Sequence, residues 1–373
     1  MPSAAPLVCL PLAALALGGA AAQDRPMPGE VFDLSLWNVT LPVDENGDEK
    51  PDTITVRDIQ RYEHPVYFHL DDEQRLVFTA PNKGAKTPNT TNTRSELREM
   101  LRGTNTRYKT HGAENNWAVE ARKGSSDYGR VGGMLQATLH VDHVALRAGK
   151  PDKASAYSAV VGQIHAVKYD NTSSGFGYGN EPIKIYYKKW PGHETGSLFW
   201  TYERNLAKTN PDRRDIAYPV YGNLWDNPDD PGAEGIALGE EFSYTINVHR
   251  NTMYVAFDTA RHGPVVYKKS LVSNVDAYGE VDELDNRFSY GGDSLFFKAG
   301  IYNQCSTSDK PGFWYAACPG TGEWAVDEAN GDYARATFSR IEISGSVPPQ
   351  AMPTVQAMRA AAAAEAGSEA NRE

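Results

Sequence analysis

The sequence predicts an all-β protein, built as a jelly-roll sandwich of two antiparallel sheets packed face to face. Short runs of alternating polar and apolar residues recur along the chain, turn-rich stretches separate them, and no long pattern with a helical period interrupts them. The composition agrees, with 33 glycines, 23 prolines and 20 tyrosines among 373 residues. We therefore expect one substantial domain, in which one sheet presents a concave face that forms a cleft.

The strand-like stretches are bounded by clusters of turn residues. They are residues 30–40, 67–78, 117–122, 134–140, 159–165, 183–188, 198–203, 242–250, 253–258, 294–302 and 335–344. Turn-rich segments lie at residues 44–48, 173–179 and 227–235. Many short strands without intervening helices are typical of the sandwich rather than of an α/β fold.

The two ends of the chain differ in composition from its middle. Residues 1–22 are apolar or small and end in Ala20-Ala21-Ala22, which predicts a signal peptide and a secreted or periplasmic protein. A membrane anchor is the alternative, but prolines interrupt this stretch, and a spanning helix needs about 20 predominantly apolar residues. Residues 23–345 form the predicted domain, and the Ala-, Pro- and Glu-rich residues 346–373 a flexible tail.

The charge of the chain limits its partners. A formal net charge of -11 argues against a nucleic-acid binder. If the ligand is itself a polyanion, the basic residues that bind it must be concentrated locally. We expect no membrane contact after signal removal, and a monomer.

Three short segments far apart in the chain carry such a concentration: residues 94–98, 163–165 and 297–304. Side chains in a strand point alternately to opposite faces. One face then carries Arg94, Glu96, Arg98, Gln163, His165, Lys298, Tyr302 and Gln304. The opposite face carries Leu97, Ile164, Phe297, Ala299 and Ile301, as expected of a core-facing surface. The polar face suits an anionic ligand and contains candidate groups for proton transfer.

Residues 183–188 also alternate, with Lys184, Tyr186 and Lys188 on one side. Lys184 is therefore a further candidate for binding an anion on the cleft floor. The alternative is an outer strand with solvated lysines, since exposed edge strands often carry lysine.

Several common catalytic classes lack their signatures. The chain has no GxSxG elbow and no HExxH motif, and we predict neither a metal nor a cofactor. A glycoside hydrolase normally needs two carboxylates, and only Glu96 stands out on the polar face.

Two cysteines remain after removal of the predicted signal peptide, Cys305 and Cys318. In an oxidising compartment an even pair so close in sequence predicts a disulfide. Two unpaired thiols are the alternative.

The polar segments resemble the three signature blocks of the family 7 polysaccharide lyases, which are alginate lyases with a β-jelly-roll fold. The block R-(S/T)-E-(L/V)-R is matched by residues 94–98, the block Q-(I/V)-H by 163–165, and the block YFKAG-(V/I)-Y-x-Q from Phe297 to Gln304. The resemblance extends over roughly residues 31–344. Phe296 stands where the family usually has tyrosine, and the region 205–239 is enlarged, which leaves the ends of the cleft and the substrate preference open.

The chemistry of these residues suits β-elimination from a polyuronate, in which a proton is removed from C5 beside a carboxylate. Arg94 and Gln163 would neutralise that carboxylate and stabilise the charge that develops on it. His165 would act as the base, and Tyr302 as the acid that protonates O4. Alternatively, Tyr302 serves both roles and His165 orients it; the resemblance implies that the choice depends on whether mannuronate or guluronate is cleaved.

The remaining polar residues would bind neighbouring sugars. Arg98, Lys298 and Gln304 would hold carboxylates and hydroxyls, whereas Glu96 would either orient an arginine and bind a hydroxyl, or form a structural ion pair with Arg94 or Arg98. Ile164 resembles the variant associated with guluronate-containing substrate, although its side chain should point into the core.

The sequence therefore predicts a secreted, endo-acting lyase that cleaves alginate without a metal, with a weak preference for guluronate-containing blocks. A lyase for another polyuronate, such as glucuronan, is one alternative. The other is a non-catalytic carbohydrate-binding jelly roll, because one fold hosts both activities.

Overall fold

The computed structural model describes residues 25–169, 172–350 and 354–359, and these form two antiparallel sheets packed face to face. In the ten-stranded sheet eight strands follow the order Asp215–Tyr221 (β12), Ser197–Glu203 (β11), Ile183–Lys188 (β10), Ser158–Ala166 (β9), Leu295–Asn303 (β16), Arg94–Glu99 (β5), Trp37–Thr40 (β1) and Thr53–Ile54 (β2). The other two strands of this sheet are Trp117–Ala118 (β6), which pairs with β16, and Arg130–Val131 (β7), which pairs with β6. In the seven-stranded sheet the order is Val265–Ser270 (β15), Thr252–Asp258 (β14), Phe242–His249 (β13), Gly133–His143 (β8), Tyr333–Ser344 (β17), Leu76–Pro81 (β4) and Phe68–Leu70 (β3). The predicted fold class is confirmed.

Helical structure is limited to short connections. The α-helices are Pro28–Val31 (α1) and Trp324–Asn330 (α2), and single 3₁₀ turns lie at Ile59–Arg61, Ala113–Asn115, Ser125–Asp127 and Gly232–Glu234. Among the described residues no helix has the length and apolar character needed to cross a membrane. The predicted signal peptide lies outside the described residues, as does most of the predicted tail.

The core lies between the two sheets and is lined by alternate residues of each strand. The apolar face predicted for the three polar segments is confirmed, because Leu97, Ile164, Phe297, Ala299 and Ile301 are fully buried in this core. Burying such side chains stabilises the fold by roughly 1.5–3 kcal/mol for each large one. It also fixes the strand register, since a slip by one residue would turn the whole apolar set to the other face.

Two predicted strands differ from those observed at the N-terminal end. Residues 30–40 include the last two residues of the short helix α1 and only four residues of strand, and residues 67–78 lie in a hairpin, β3 and β4, instead of one strand. Asp71 causes the turn of this hairpin, because its carboxylate accepts hydrogen bonds from the backbone N–H groups of Glu73 and Arg75.

Strands β12 and β15 were not predicted. Pro219 lies inside β12 and argues against a central strand, since proline has no N–H for the ladder. The structure places β12 at the edge of its sheet, where proline is tolerated.

The predicted disulfide is confirmed, because Cys305 and Cys318 are bonded, with their Cα atoms 5.5 Å apart. The bond closes a loop directly after β16, the strand that carries Lys298 and Tyr302. We expect the double variant Cys305→Ser/Cys318→Ser to lose about 3 kcal/mol of unfolding free energy, since a cross-link of this span restricts the unfolded chain. Denaturant unfolding of the oxidised protein and the variant measures this loss. Equal midpoints would show that the cross-link contributes nothing to stability.

Candidate active site

The three polar segments lie side by side in the middle of the ten-stranded sheet. Strand β16 pairs with β5 on one side and with β9 on the other, so that Lys298 lies opposite both Arg98 and Gln163. A bulge between Ala299 and Tyr302 shifts the register against β9. Gly300 allows this geometry because its φ is 130°, and a Cβ there would lie 2.6 Å from the Ser95 carbonyl oxygen. Residues from three distant parts of the chain thus form one surface.

Glu96 is the centre of a buried polar cluster on this surface. One of its carboxylate oxygens accepts a hydrogen bond from Arg94 at 2.9 Å and pairs with Lys298, and the other accepts a bond from the Gln163 amide. Burial raises the pKa of Glu96, but the charges of Lys298 and Arg94 outweigh it and hold the pKa below its usual value. The predicted ion pair of Glu96 with Arg94 is therefore present and can orient Arg94, whereas binding of a sugar hydroxyl by Glu96 stays a prediction.

The charge of this cluster leaves room for an anion. Arg94 and Lys298 carry two positive charges against the single negative charge of Glu96, which leaves one positive charge uncompensated within the group. Burial, and then the charge of Arg94, lower the pKa of Lys298 to about 8, so that Lys298 is still mainly protonated at neutral pH. Among the described residues, Arg94 Nε and Gln163 Oε1 are buried without a hydrogen-bond partner. A carboxylate with adjacent hydroxyls would satisfy this donor and this acceptor.

Tyr302 of β16 lies beside the cluster, opposite Arg94 of β5. The Arg94 guanidinium lies 3.9 Å from the centre of the Tyr302 ring, and the phenol oxygen is 2.6 Å from Thr90 Oγ1. Burial raises the pKa of Tyr302 above its ordinary value, against a smaller effect of Arg94. The phenol is therefore protonated at neutral pH, as an acid must be before it donates its proton.

His165 flanks the cluster on the β9 side. Its Nδ1 lies 2.7 Å from the Ala166 carbonyl oxygen, and its Nε2 lies 3.3 Å from Glu181 Oε1. The ring is stacked on Phe296, with centroids 5.2 Å apart and planes inclined by 13°. Phe296, which departs from the tyrosine usual in related sequences, thus supports His165. Burial lowers the pKa of His165 to about 4 although the Glu181 charge opposes this shift, so that the imidazole is neutral and basic near pH 7.

Arg98 and Gln304 are positioned differently from the other candidates. The terminal nitrogens of Arg98 donate to the carbonyl oxygens of Glu99 and Thr110 and to Asn116 Oδ1, and its guanidinium stacks on Phe296. Gln304 follows the end of β16 and donates its amide to the Tyr302 carbonyl oxygen at 3.2 Å. Contact of either side chain with a sugar stays a prediction, and for Arg98 it requires existing hydrogen bonds to be exchanged.

Lys184 lies on β10 opposite Gln163 of β9 and is not a solvated lysine, whereas its contact with an anionic substrate stays a prediction. Its Nζ lies 3.0 Å from Asp215 Oδ2 and 3.5 Å from Glu181 Oε2, and the residue is 9% exposed. Lys188 is more deeply buried, where its ammonium donates to the carbonyl oxygens of Ala154 and Ala156. The alternative of an exposed outer strand is therefore wrong, because β10 is an interior strand between β9 and β11.

Sequence reasoning missed Glu181 and Thr90, which contact His165 and Tyr302. Both lie in connections outside the alternating strands, so that periodicity gives them no signal. The pairing of Ile164 with Ile183 is what brings Glu181 beside His165, and only knowledge of that register could have found it.

Comparison with known proteins places this geometry in a family. The family model described as "Alginate lyase" matches residues 32–345. An alginate lyase of Klebsiella pneumoniae is 35% identical over 325 residues, which cover 85% of this chain and 91% of that protein.

Two solved structures are similar throughout their length. The crystal structure of the alginate lyase from Klebsiella pneumoniae has a TM-score of 0.67 at 32% identity, covering 86% of this chain and 99% of its own. The exolytic family 7 alginate lyase of Zobellia galactanivorans has a TM-score of 0.68 at 31% identity, with the same coverages of 86% and 99%. With its two-sheet fold and its three adjacent polar strands, the chain belongs to the family 7 polysaccharide lyases, the alginate lyases.

Proposed function

We propose that this alginate lyase is secreted and cleaves its substrate by β-elimination without a metal, using Arg94, Gln163, His165 and Tyr302. The observation that carries the proposal is the buried cluster of Arg94, Gln163 and Lys298 around Glu96, which has one uncompensated positive charge. The neutral imidazole of His165 and the protonated phenol of Tyr302 lie on either side of it. Secretion follows from the composition of residues 1–22.

The cluster supplies what the first step of the elimination requires. The C5 proton of a uronate becomes acidic enough to remove only when the adjacent carboxylate is neutralised. Arg94 and the Gln163 amide would bind that carboxylate and stabilise the additional negative charge that develops on it. A protein cation thereby does the work that a metal ion does in other enzymes.

The bond changes then follow from the two flanking residues. His165 Nε2 takes the C5 proton, the electron pair of the C–H bond forms the C4=C5 double bond, and the C4–O4 bond breaks. Tyr302 donates its proton to O4, which leaves as a hydroxyl. The products are a reducing end and a 4,5-unsaturated uronate, and proton exchange with solvent restores both side chains.

If Ile164 gives the enzyme a preference for guluronate-containing blocks, its effect must be indirect. Ile164, whose identity suggests this preference, is fully buried in the core between the sheets and has no exposed surface for a sugar. An effect of Ile164 on the substrate would have to pass through the packing of β9, the strand that also carries Gln163 and His165.

Internal cleavage of the polymer is the action that we predict, whereas the Zobellia relative is exolytic. A cavity of about 290 Å³ beside Tyr302 is lined by residues 88–92, Lys208, Lys310, Trp314 and Tyr315. Product size decides between the two actions: a ladder of oligosaccharides at early times indicates internal cleavage, whereas a single short product from the outset indicates terminal cleavage.

The assay for the reaction is the ultraviolet absorbance of the conjugated unsaturated uronate. We expect absorbance to rise when the purified mature protein is mixed with alginate in the presence of excess chelator, and to rise faster on polyguluronate than on polymannuronate. Among the described residues no group of three or more His, Cys, Asp and Glu side chains is arranged to hold a metal ion. Loss of activity on chelation, with recovery on addition of one divalent cation, would contradict the metal-free mechanism.

Two alternatives are separated by the same assay. A rise on glucuronan in place of alginate would assign the carboxylate-binding cluster to another polyuronate. No rise on any polymer, with binding still detected by calorimetry, would identify a carbohydrate-binding jelly roll and reject the proposed function.

A further inference from the structure

The hydrogen-bond partners of His165 determine which of its nitrogens can act as the base. The carbonyl oxygen of Ala166 only accepts hydrogen bonds, so that Nδ1, at 2.7 Å, must carry a hydrogen. The neutral ring then has its lone pair on Nε2. That nitrogen faces the Glu181 carboxylate, with Nε2 and Oε1 3.3 Å apart.

This arrangement gives Glu181 a different interaction with each protonation state of the ring. The neutral ring has no N–H on Nε2 to donate to Glu181. After Nε2 takes a proton from C5, the ring carries a positive charge beside the Glu181 carboxylate, and the two opposite charges attract each other. An attraction that is gained only as the proton is transferred lowers the barrier without tightening the binding of the substrate.

The surroundings of Glu181 keep its carboxylate charged and in place. Burial raises the pKa of Glu181, but neighbouring positive charge, first that of Lys184, outweighs it and holds the pKa well below its usual range. The backbone N–H of Glu181 donates to Glu203 Oε2 at 3.0 Å, and the Asn180 carbonyl accepts a bond from the Ala166 N–H at 2.8 Å. The segment that carries Glu181 is therefore tied directly to the end of β9.

Other charged groups around His165 have the opposite effect. Lys298 of β16 and Arg94 of β5 both lower the pKa of His165, whereas Glu181 raises it, and Lys184 of β10 contacts the far oxygen of Glu181. Glu181 is thus the anion that offsets the positive cluster needed to bind the substrate carboxylate.

We propose that Glu181 is a positioning residue of the elimination, which acts through His165 by stabilising the imidazolium formed when His165 takes the C5 proton. This inference rests on the proposed function. It requires no oxidant or cofactor: one proton moves from C5 to Nε2, and the negative charge beside it is already present on Glu181.

The variant Glu181→Gln tests the proposal, because it keeps the shape of the side chain and removes its charge. We expect kcat to fall by about 10- to 100-fold, with KM changed by less than about twofold. Without the anion the pKa of His165 falls further, so that the acidic limb of the profile of kcat/KM against pH moves to lower pH. Glu181→Asp retains the charge on a shorter side chain and should recover part of the loss.

A second readout does not depend on turnover. An NMR titration of isotope-labelled histidine, with the His165 signal assigned by its absence in His165→Ala, should show a lower His165 pKa in Glu181→Gln than in the unmodified protein. Glu328→Gln is the matched control, since Glu328 pairs with Arg335 at a distance from the cleft, and it should change neither kcat nor this titration.

The outcomes distinguish this inference from the proposed function. Unchanged kcat in Glu181→Gln would overturn the proposal, and so would a lower kcat with an unchanged His165 pKa, which would make Glu181 only structural. If the unmodified protein cleaves no polyuronate, the proposed function fails, whereas the NMR comparison still shows whether Glu181 controls the proton affinity of His165.

Discussion

Replacing Tyr302 by phenylalanine should lower kcat by about 10³-fold while leaving KM within a few-fold of the original value, because a positioned general acid contributes typically 10²–10⁴-fold. The change removes one oxygen atom, whose contact is with Thr90 Oγ1, and keeps the ring that packs against the Arg94 guanidinium. Binding of the carboxylate by Arg94 and Gln163 should therefore persist. Initial rates of absorbance increase over a range of alginate concentrations measure both constants.

A control variant separates loss of the phenol from a general effect of the substitution. Tyr254→Phe makes the same change on the seven-stranded sheet, far from the cleft, and should keep full activity. Near-normal turnover of Tyr302→Phe would remove Tyr302 from the acid role. His165 would then remain as the proposed proton-transfer group beside the cluster.

Replacing Arg94 by alanine should also abolish most of the activity, with kcat lowered by about 10²–10³-fold. This is the range found when one preorganised hydrogen-bond donor to a developing charge is removed from an enzyme. The substitution eliminates the positive charge that remains after Glu96 is paired with Lys298. The cluster then has no net charge with which to neutralise a uronate. Kinetics with alginate, together with thermal unfolding of the same samples, measure the effect.

Arg94→Lys distinguishes charge from geometry. Lysine retains the positive charge but lacks the planar fork that can contact Glu96 and a substrate carboxylate together. We expect it to recover only part of the lost rate. An active Arg94→Ala enzyme with unchanged kcat would contradict the neutralisation of the carboxylate by Arg94, whereas a large drop in unfolding temperature would assign the loss to folding.

The two predictions depend on different features of one cluster. Tyr302 must be protonated before it donates, and burial, which raises its pKa, favours that neutral state; Arg94 must be charged, and it stays so in spite of burial, paired with Glu96. The same low exposure thus has opposite consequences for an acid that must stay protonated and for a cation that must stay charged.

The sequence by itself determined the fold class, the apolar face of each central strand and the residues of the polar face. Alternation with a period of two is a local property, and a buried face requires that Leu97, Ile164 and Ile301 point inward together, so that Arg94, Gln163 and Tyr302 point outward. Cysteine spacing likewise indicated the Cys305–Cys318 disulfide. These features need no knowledge of which strands are neighbours.

Only the tertiary structure decided which of the polar residues contact one another. Strand order places Lys298 between Arg98 and Gln163, and the regular register of β16 against β5 places Tyr302 opposite Arg94. Glu181 lies in the connection between β9 and β10, outside the alternating residues of either strand, so that no local pattern could link it to His165. Contacts between distant segments depend on register and burial, which are set by the packing of the whole sheet rather than by any one stretch of residues.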